Sequence, residues 1–189
     1  MNRRLISAVA LAAAAGVLQG CFPLAVTGMG AAALMATDRR SSGMYLEDEN
    51  IEWRMFGLQR EYPGAHVNAT SYNRRVLLTG EAPNEETKGK IEAAARAVLN
   101  VREVVNELQI AGASSLASRG NDSLITSNVK ARMLNNGKFS PTHIKVVTEA
   151  NTVYVMGLVT NAEADAAVEI ARTAQGVSRV VKVFEYVNP

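Results

Sequence analysis

The body of this chain is written twice, and that restricts its possible folds more than any single motif. Val76-Leu77-Leu78-Thr79-Gly80 reappears as Val153-Tyr154-Val155-Met156-Gly157, a shift of 77 residues. The same shift pairs Val67 with Ile144, Ala69 with Val146, Asn84 with Asn161, Glu86 with Glu163 and Ile91 with Val168. One residue then drops out, and Val101, Val104 and Leu108 match Val177, Val180 and Phe184. An offset held across several elements marks a duplicated structural unit.

Each unit reads helix–strand–strand–helix–strand. The hairpin strands are short and rich in Val and Leu, with turn chemistry at Tyr72-Asn73-Arg74 and at Glu149-Ala150-Asn151. Gly80 and Gly157 are expected to end the second strands and to relieve a backbone or close-packing constraint there. Thr160 and Glu163 have the spacing of a capping box, and Pro83-Asn84-Glu85-Glu86 suits a helix start. The second helices each carry one apolar stripe: Ile91, Ala94, Ala95, Val98 and Leu99 in one, and Ala164, Ala167, Val168, Ala171 and Ala174 in the other. The fold class is therefore α+β, with a small mixed three-stranded sheet packed on two helices in each unit. Units of this size are marginal alone, so docking of one on the other would help both.

The chain start is a targeting segment. Arg3 and Arg4 precede an apolar stretch from Leu5 to Leu18, the pattern of a signal peptide over residues 1–20. Leu18-Gln19-Gly20-Cys21 closes it and is similar to a bacterial lipobox, which makes Cys21 the lipidation site. Removing Arg3 and Arg4 leaves 18 basic against 18 acidic residues of the original 20 and 18. A nucleic-acid-binding reading based on a basic isoelectric point therefore fails. With one cysteine there is no disulfide framework and no thiolate metal site. Residues 21–46 read as a lipidated tether, 47–111 as the first domain, 112–121 as a linker rich in Gly and Ser, and 122–189 as the second domain.

Catalytic motifs are missing from the sequence. The two histidines, His66 and His143, precede the first strand of each unit without a converging partner in any motif. A structural or solvent-exposed role is expected of them. Glu85, Glu86 and Glu163 are explained by capping, and Gly28-Met29-Gly30 is not a phosphate cradle. No cofactor or metal is expected, and no enzyme.

The segment from Ser123 to Asn136 is more informative. At about 100° per residue, Ile125, Val129 and Met133 form the stripe that faces the sheet. Leu124, Ala131 and Leu134 lie nearly opposite, with Ser127 and Asn128 beside them and Lys130 on the flank. Lys130, Arg132, Lys138 and Lys145 surround this helix, with Asp122 as their acidic company. From Asn121 onward there are 7 basic and 6 acidic residues; from Glu47 to Gly112 there are 8 and 11. Leucines opposite a core suit insertion into a membrane with basic groups attracting anionic headgroups, or packing against the first unit. Trp53, the one tryptophan, is expected in the core or between the domains.

The Val-x-Leu/Val-x-Gly strands, the Ala-rich helices and the ending Gly176-Val177-Ser178-Arg179-Val180 resemble BON domains, named for bacterial outer-membrane and nodulation proteins. Together with the lipobox, Ala36-Thr37-Asp38-Arg39, Asn121-Asp122-Ser123 and Met156-Gly157-Leu158-Val159-Thr160, the layout resembles dual-BON outer-membrane lipoproteins. Phe22, rather than Asp, follows the cysteine, which by the sorting rule of such lipoproteins points to the outer membrane and its periplasmic face. The resemblance implies binding of anionic phospholipid, phosphatidylglycerol especially, through the first helix of the second repeat, here Leu124, Ser127, Asn128, Lys130, Ala131 and Leu134. It also implies fatty acyl (palmitate) modification, a part in envelope integrity, recruitment to the division site, and contact with outer-membrane assembly machinery or division-site proteins. Relatives carry tryptophan where this chain has Leu124 and lysine where it has Asn128.

Overall fold

A computed structural model of the chain describes residues 37–188. The signal segment, Cys21 and the tether as far as residue 36 lie outside the described residues. No described helix is long and apolar enough to cross a membrane.

The first repeat runs α1 (Ser42–Leu58), a 3-10 turn (Gln59–Glu61), β1 (His66–Tyr72), β2 (Arg75–Ala82), α2 (Glu85–Ala97), β3 (Glu103–Asn106) and β4 (Gln109–Ile110). The second runs α3 (Leu116–Leu134), a 3-10 turn (Pro141–His143), β5 (Ile144–Glu149), β6 (Thr152–Val159), α4 (Asn161–Arg172) and β7 (Arg179–Tyr186). In both sheets the hairpin is antiparallel and the last long strand pairs parallel to the second, with Val76 opposite Val104 and Val153 opposite Val180. The first sheet gains a short fourth strand, β4, beside the end of β2.

Side chains alternate along the strands and so divide between two faces. Val76 and Leu78 join Ile51, Met55, Ile91 and Ala95 in the helix-covered core of the first repeat. Val153, Val155 and Val159 do the same with Ile125, Val129, Ala167 and Ala171 in the second. The opposite faces meet each other. Tyr72 and Leu77 of one sheet pack with Tyr154, Met156 and Val183 of the other. The result is helix layer, sheet, sheet, helix layer, and the central cluster supplies the mutual support that units this small need.

Local chemistry explains the boundaries. Asn84 caps α2 by accepting from the Thr87 amide, and Thr160 with Glu163 closes a full capping box on α4. Ser115 caps α3 by accepting from the Ser118 amide, so the segment read as a linker is helical from Leu116 onward. The Ser and Gly composition suggested a loop there. Burial of Asp122 and Ile125 on one face outweighs the roughly 1 kcal/mol that Gly120 costs a helix. Likewise α1 begins at Ser42, inside the stretch read as tether. The stripe assigned to α2 stops early: the helix ends at Ala97, and Leu99 beyond it is exposed.

Both hairpins turn on two left-handed residues, Asn73 and Arg74 in one and Ala150 and Asn151 in the other. This matches the type I′ geometry of two-residue hairpins. Asn73 and Asn151 suit positive φ, but Arg74 and Ala150 do not, so the turns are held from outside. The buried Asp48 carboxylate of α1 accepts from the Asn73 and Arg74 amides at 2.8 Å each and from the Ser71 hydroxyl at 2.7 Å. Asp122 of α3 accepts from the Ala150 and Asn151 amides at 3.0 and 2.9 Å. The glycines do not end their strands, which continue to Ala82 and Val159. They permit close approach instead: a Cβ on Gly80, whose φ is +110°, would lie 2.1 Å from the His66 carbonyl oxygen, and one on Gly157 would lie 2.4 Å from that of His143.

Candidate functional site

Helix α3 buries Ile125, Val129 and Met133 against its own sheet, as its periodicity requires. The opposite side is open. Leu124 is 72% exposed and Leu134 68%, and neither is covered by the first repeat. Ser127, Asn128, Lys130 and Ala131 are exposed with them, so the six residues singled out from the sequence share one outward face. Leu116 joins it, 82% exposed. That residue was missed because it fell in the apparent linker. The signal was present, since 18 residues separate it from Leu134, about five helical turns, which returns it to the same side. Leu116, Leu124 and Leu134 thus line a face about 27 Å long.

The cationic surround is thinner than the sequence suggested. Arg132 donates to the Ile170 carbonyl and the Thr173 hydroxyl on the α4 side, both at 2.8 Å. Lys145 crosses to the first repeat, where its ammonium donates to Glu52 at 2.6 Å and to the Ser71 carbonyl at 3.2 Å. Lys130 and Lys138 are exposed. Asp122 does not oppose these charges from the surface, because it is buried under the hairpin turn.

Trp53 overturns its expectation. It lies in neither the core nor the inter-repeat contact but 73% exposed on α1, with Leu46 and Phe56 also exposed. The Arg60 guanidinium stands 5.7 Å from the Phe56 ring centre. Ile51 and Met55 form the buried stripe of that helix, so α1 also shows apolar side chains away from its core.

The repeats are also joined by polar contacts. Asn68 donates to Glu149 at 2.7 Å, Tyr72 to the His143 carbonyl at 3.0 Å, Asn73 to Glu185 at 3.1 Å and Arg75 to the Phe184 carbonyl at 2.8 Å. Arg102 pairs with Glu185. The segment before α1 clamps both halves. Arg39 donates to both Glu163 oxygens at 2.6 and 3.0 Å and to the Leu158 carbonyl at 2.7 Å, all in the second repeat. Arg40 pairs with Asp38 and Asp48 and stacks on Tyr72, 4.0 Å from the ring centre. Burial opposes the Glu163 charge. The Arg39 guanidinium and the Thr160 amide and hydroxyl outweigh it and hold the carboxyl at about 2. No periodicity could have revealed the Arg39 half of this clamp, because its partners lie more than a hundred residues away.

The two histidines sit at the corresponding corners. His143 reaches the Thr37 carbonyl at 2.8 Å through Nε2, and its Nδ1 lies 3.5 Å from Glu163. His66 Nδ1 lies 3.0 Å from Glu81 and 4.0 Å from Glu149.

Comparison with known proteins settles the family. The BON domain profile matches residues 55–112 and 121–188. The chain belongs to the BON-domain family. It is similar to "Outer membrane lipoprotein DolP" of Haemophilus influenzae, 38% identical over 175 residues that cover 90% of this chain and 91% of that one. It is also similar to a "21 kDa hemolysin" of Actinobacillus pleuropneumoniae, 34% identical over 155 residues and 80% of each chain. The chain is thus a dual-BON lipoprotein of the DolP type, and an outer-membrane lipoprotein by that kinship. Among solved structures, CdsD of the type III secretion system of Chlamydia trachomatis aligns over 70% of this chain and 90% of its own with a TM-score of 0.30 at 12% identity, too slight a likeness to inform the fold. Both BON units carry the mixed sheet and two helices expected of them.

Proposed function

We propose that this BON lipoprotein is a non-enzymatic reader of anionic phospholipid on the periplasmic face of the outer membrane. Lipidated Cys21 is its anchor and the outer face of α3 its contact. Leu124 and Leu134, with Leu116, enter the acyl boundary. Ser127, Asn128 and Lys130 meet headgroups, and Ala131 permits close approach. The observation that carries this reading is the solvent exposure of leucines opposite the core of a helix with basic flanks. Full burial of a leucine contributes about 1.5–3 kcal/mol, and a basic group near an anionic surface about 1 kcal/mol. Such binding is weak from solution and becomes effective on a tethered protein, because the anchor raises local concentration. Phosphatidylglycerol is the anionic lipid of choice, and recruitment to the division site and support of envelope integrity follow from reading it.

A second reading has its own support. The exposed Trp53 and Phe56 lie on the helix of the more acidic repeat, a surface suited to a protein partner such as the outer-membrane assembly machinery or a division-site protein. Flotation of a chain starting at residue 37, which lacks the anchor, separates the two. Recovery with phosphatidylglycerol vesicles but not with neutral ones, lost in Leu124→Asp and Leu134→Asp, supports lipid reading. Recovery that ignores lipid charge and both substitutions defeats it.

A further inference from the structure

The junction between the repeats holds two buried carboxylates, one from each. Glu81 and Glu149 have side chains 8% and 6% exposed, and their ion pairs among the described residues are both with His66, itself 14% exposed. Glu81 accepts from the Ser114 amide at 3.1 Å and Glu149 from the Asn68 amide group at 2.7 Å. Other charges stand close by. Asp122 adds a further negative field at Glu149, and Glu107 faces Arg179 at 3.9 Å. Burial, more than the Glu81 charge, pushes the Glu149 carboxyl up from the usual range. Two carboxylates withdrawn from water demand a cation or a proton.

The equivalent corner of the second repeat shows how such a demand is met. There Arg39 reaches across to Glu163 and the Leu158 carbonyl beside His143. Leu158 holds the position that Glu81 holds in the first repeat. Both corners carry an imidazole; the first has an extra carboxylate and lacks the arginine. The His66 Nδ1 and one oxygen from each glutamate lie within 4.8 Å of one another. Ligands bound tetrahedrally at about 2.0–2.2 Å to one ion stand about 3.3–3.6 Å apart, so a closure of roughly an ångström brings the three onto a common centre. A cavity of about 180 Å³ adjoins them, lined by Glu81, Glu149, Glu107, Thr152, Tyr154 and Arg179. It offers room for the ion's remaining water ligands.

We propose that His66, Glu81 and Glu149 form a site for a divalent cation of the zinc class, which bridges the two BON domains. One imidazole and two carboxylates make a mixed nitrogen–oxygen donor set that suits zinc over calcium or magnesium. The ion needs its ligands deprotonated, so binding weakens on acidification.

The test uses the full-length lipoprotein in detergent micelles, stripped with EDTA and titrated with zinc chloride. Saturable binding of one zinc per chain, a raised melting temperature, and movement of the His66 but not the His143 ring signals in histidine NMR spectra are expected. Glu149→Gln keeps an oxygen for Asn68, and His66→Gln keeps a polar side chain; each should lower zinc affinity at least tenfold. His143→Gln should bind as the parent does. Calcium chloride should give no comparable shift. The absence of saturable zinc binding, or ring shifts at His143 alone, or unchanged affinity in both Glu149→Gln and His66→Gln, overturns the site. Because none of these readouts involves lipid, failure here leaves the reading of α3 standing.

Discussion

The first helices of the two BON domains are the same device with different outer surfaces. Their buried sides correspond closely: Asp48, Ile51 and Met55 of α1 take the places of Asp122, Ile125 and Val129 of α3, each pair 74 residues apart. The strands repeat at 77, so the loop after α3 is three residues longer. By this register Trp53 stands where Ser127 does, and Phe56 where Lys130 does. Both helices therefore show apolar groups to solvent, but α1 carries Glu47, Glu49 and Glu52 along its length while α3 carries Lys130 and Arg132. A core fixes one side of a helix. The other side is free to diverge, and charge decides which surface each can approach.

The largest expected effect falls on that difference. Replacing Leu124 and Leu134 together by Asp removes about 3 kcal/mol or more of insertion, so affinity of the anchorless chain for phosphatidylglycerol vesicles should fall at least about a hundredfold. The circular dichroism spectrum should not change. A smaller loss would mean that the contact lies elsewhere.

The glycine corners come next. Gly80→Ala combines a clash on the His66 carbonyl with an unfavourable positive φ, and should cost about 2–3 kcal/mol in urea unfolding. Gly157→Ala meets only a clash and should cost less. Equal losses would show that the backbone angle is unimportant.

The clamp is worth less. Arg39→Met should lower stability at pH 7 by about 1 kcal/mol, a modest figure because the pair borders solvent. The sign follows from Glu163. Its carboxyl is depressed from 4.5 to about 2, so its stabilisation is present above 4.5 and disappears as pH falls through 2. The gap between the parent and Arg39→Met should close over that window. Lys90→Met, which unpairs the fully exposed counterpart Glu86, should leave the unfolding midpoint where it is. Smallest of all, Trp53→Ala should leave vesicle recovery within error, because the acidic flank of α1 repels the same headgroups that α3 attracts; a marked drop would make α1 a second lipid contact.

Much of this was legible in the chain. The duplicated Val-Leu strands, the turn residues at 73–74 and 150–151 and the capping pair Thr160 and Glu163 are local signals, each read within a few residues. The stripe of Ile125, Val129 and Met133 was equally plain. Leu116 escaped because serine and glycine around it imitate a loop, and Trp53 was misplaced because large aromatic side chains are usually buried.

The sequence by itself determined the two α+β units and which side of each helix faces its own sheet, because alternation and helical period are short-range properties. Only the tertiary structure decided that the sheets pack back to back, leaving the leucines of α3 and the tryptophan of α1 open. It also brought His66, Glu81 and Glu149 into one buried corner and carried Arg39 across to Glu163. Those outcomes depend on contacts between residues 15 to 124 positions apart, a separation at which no local pattern records what will become a neighbour.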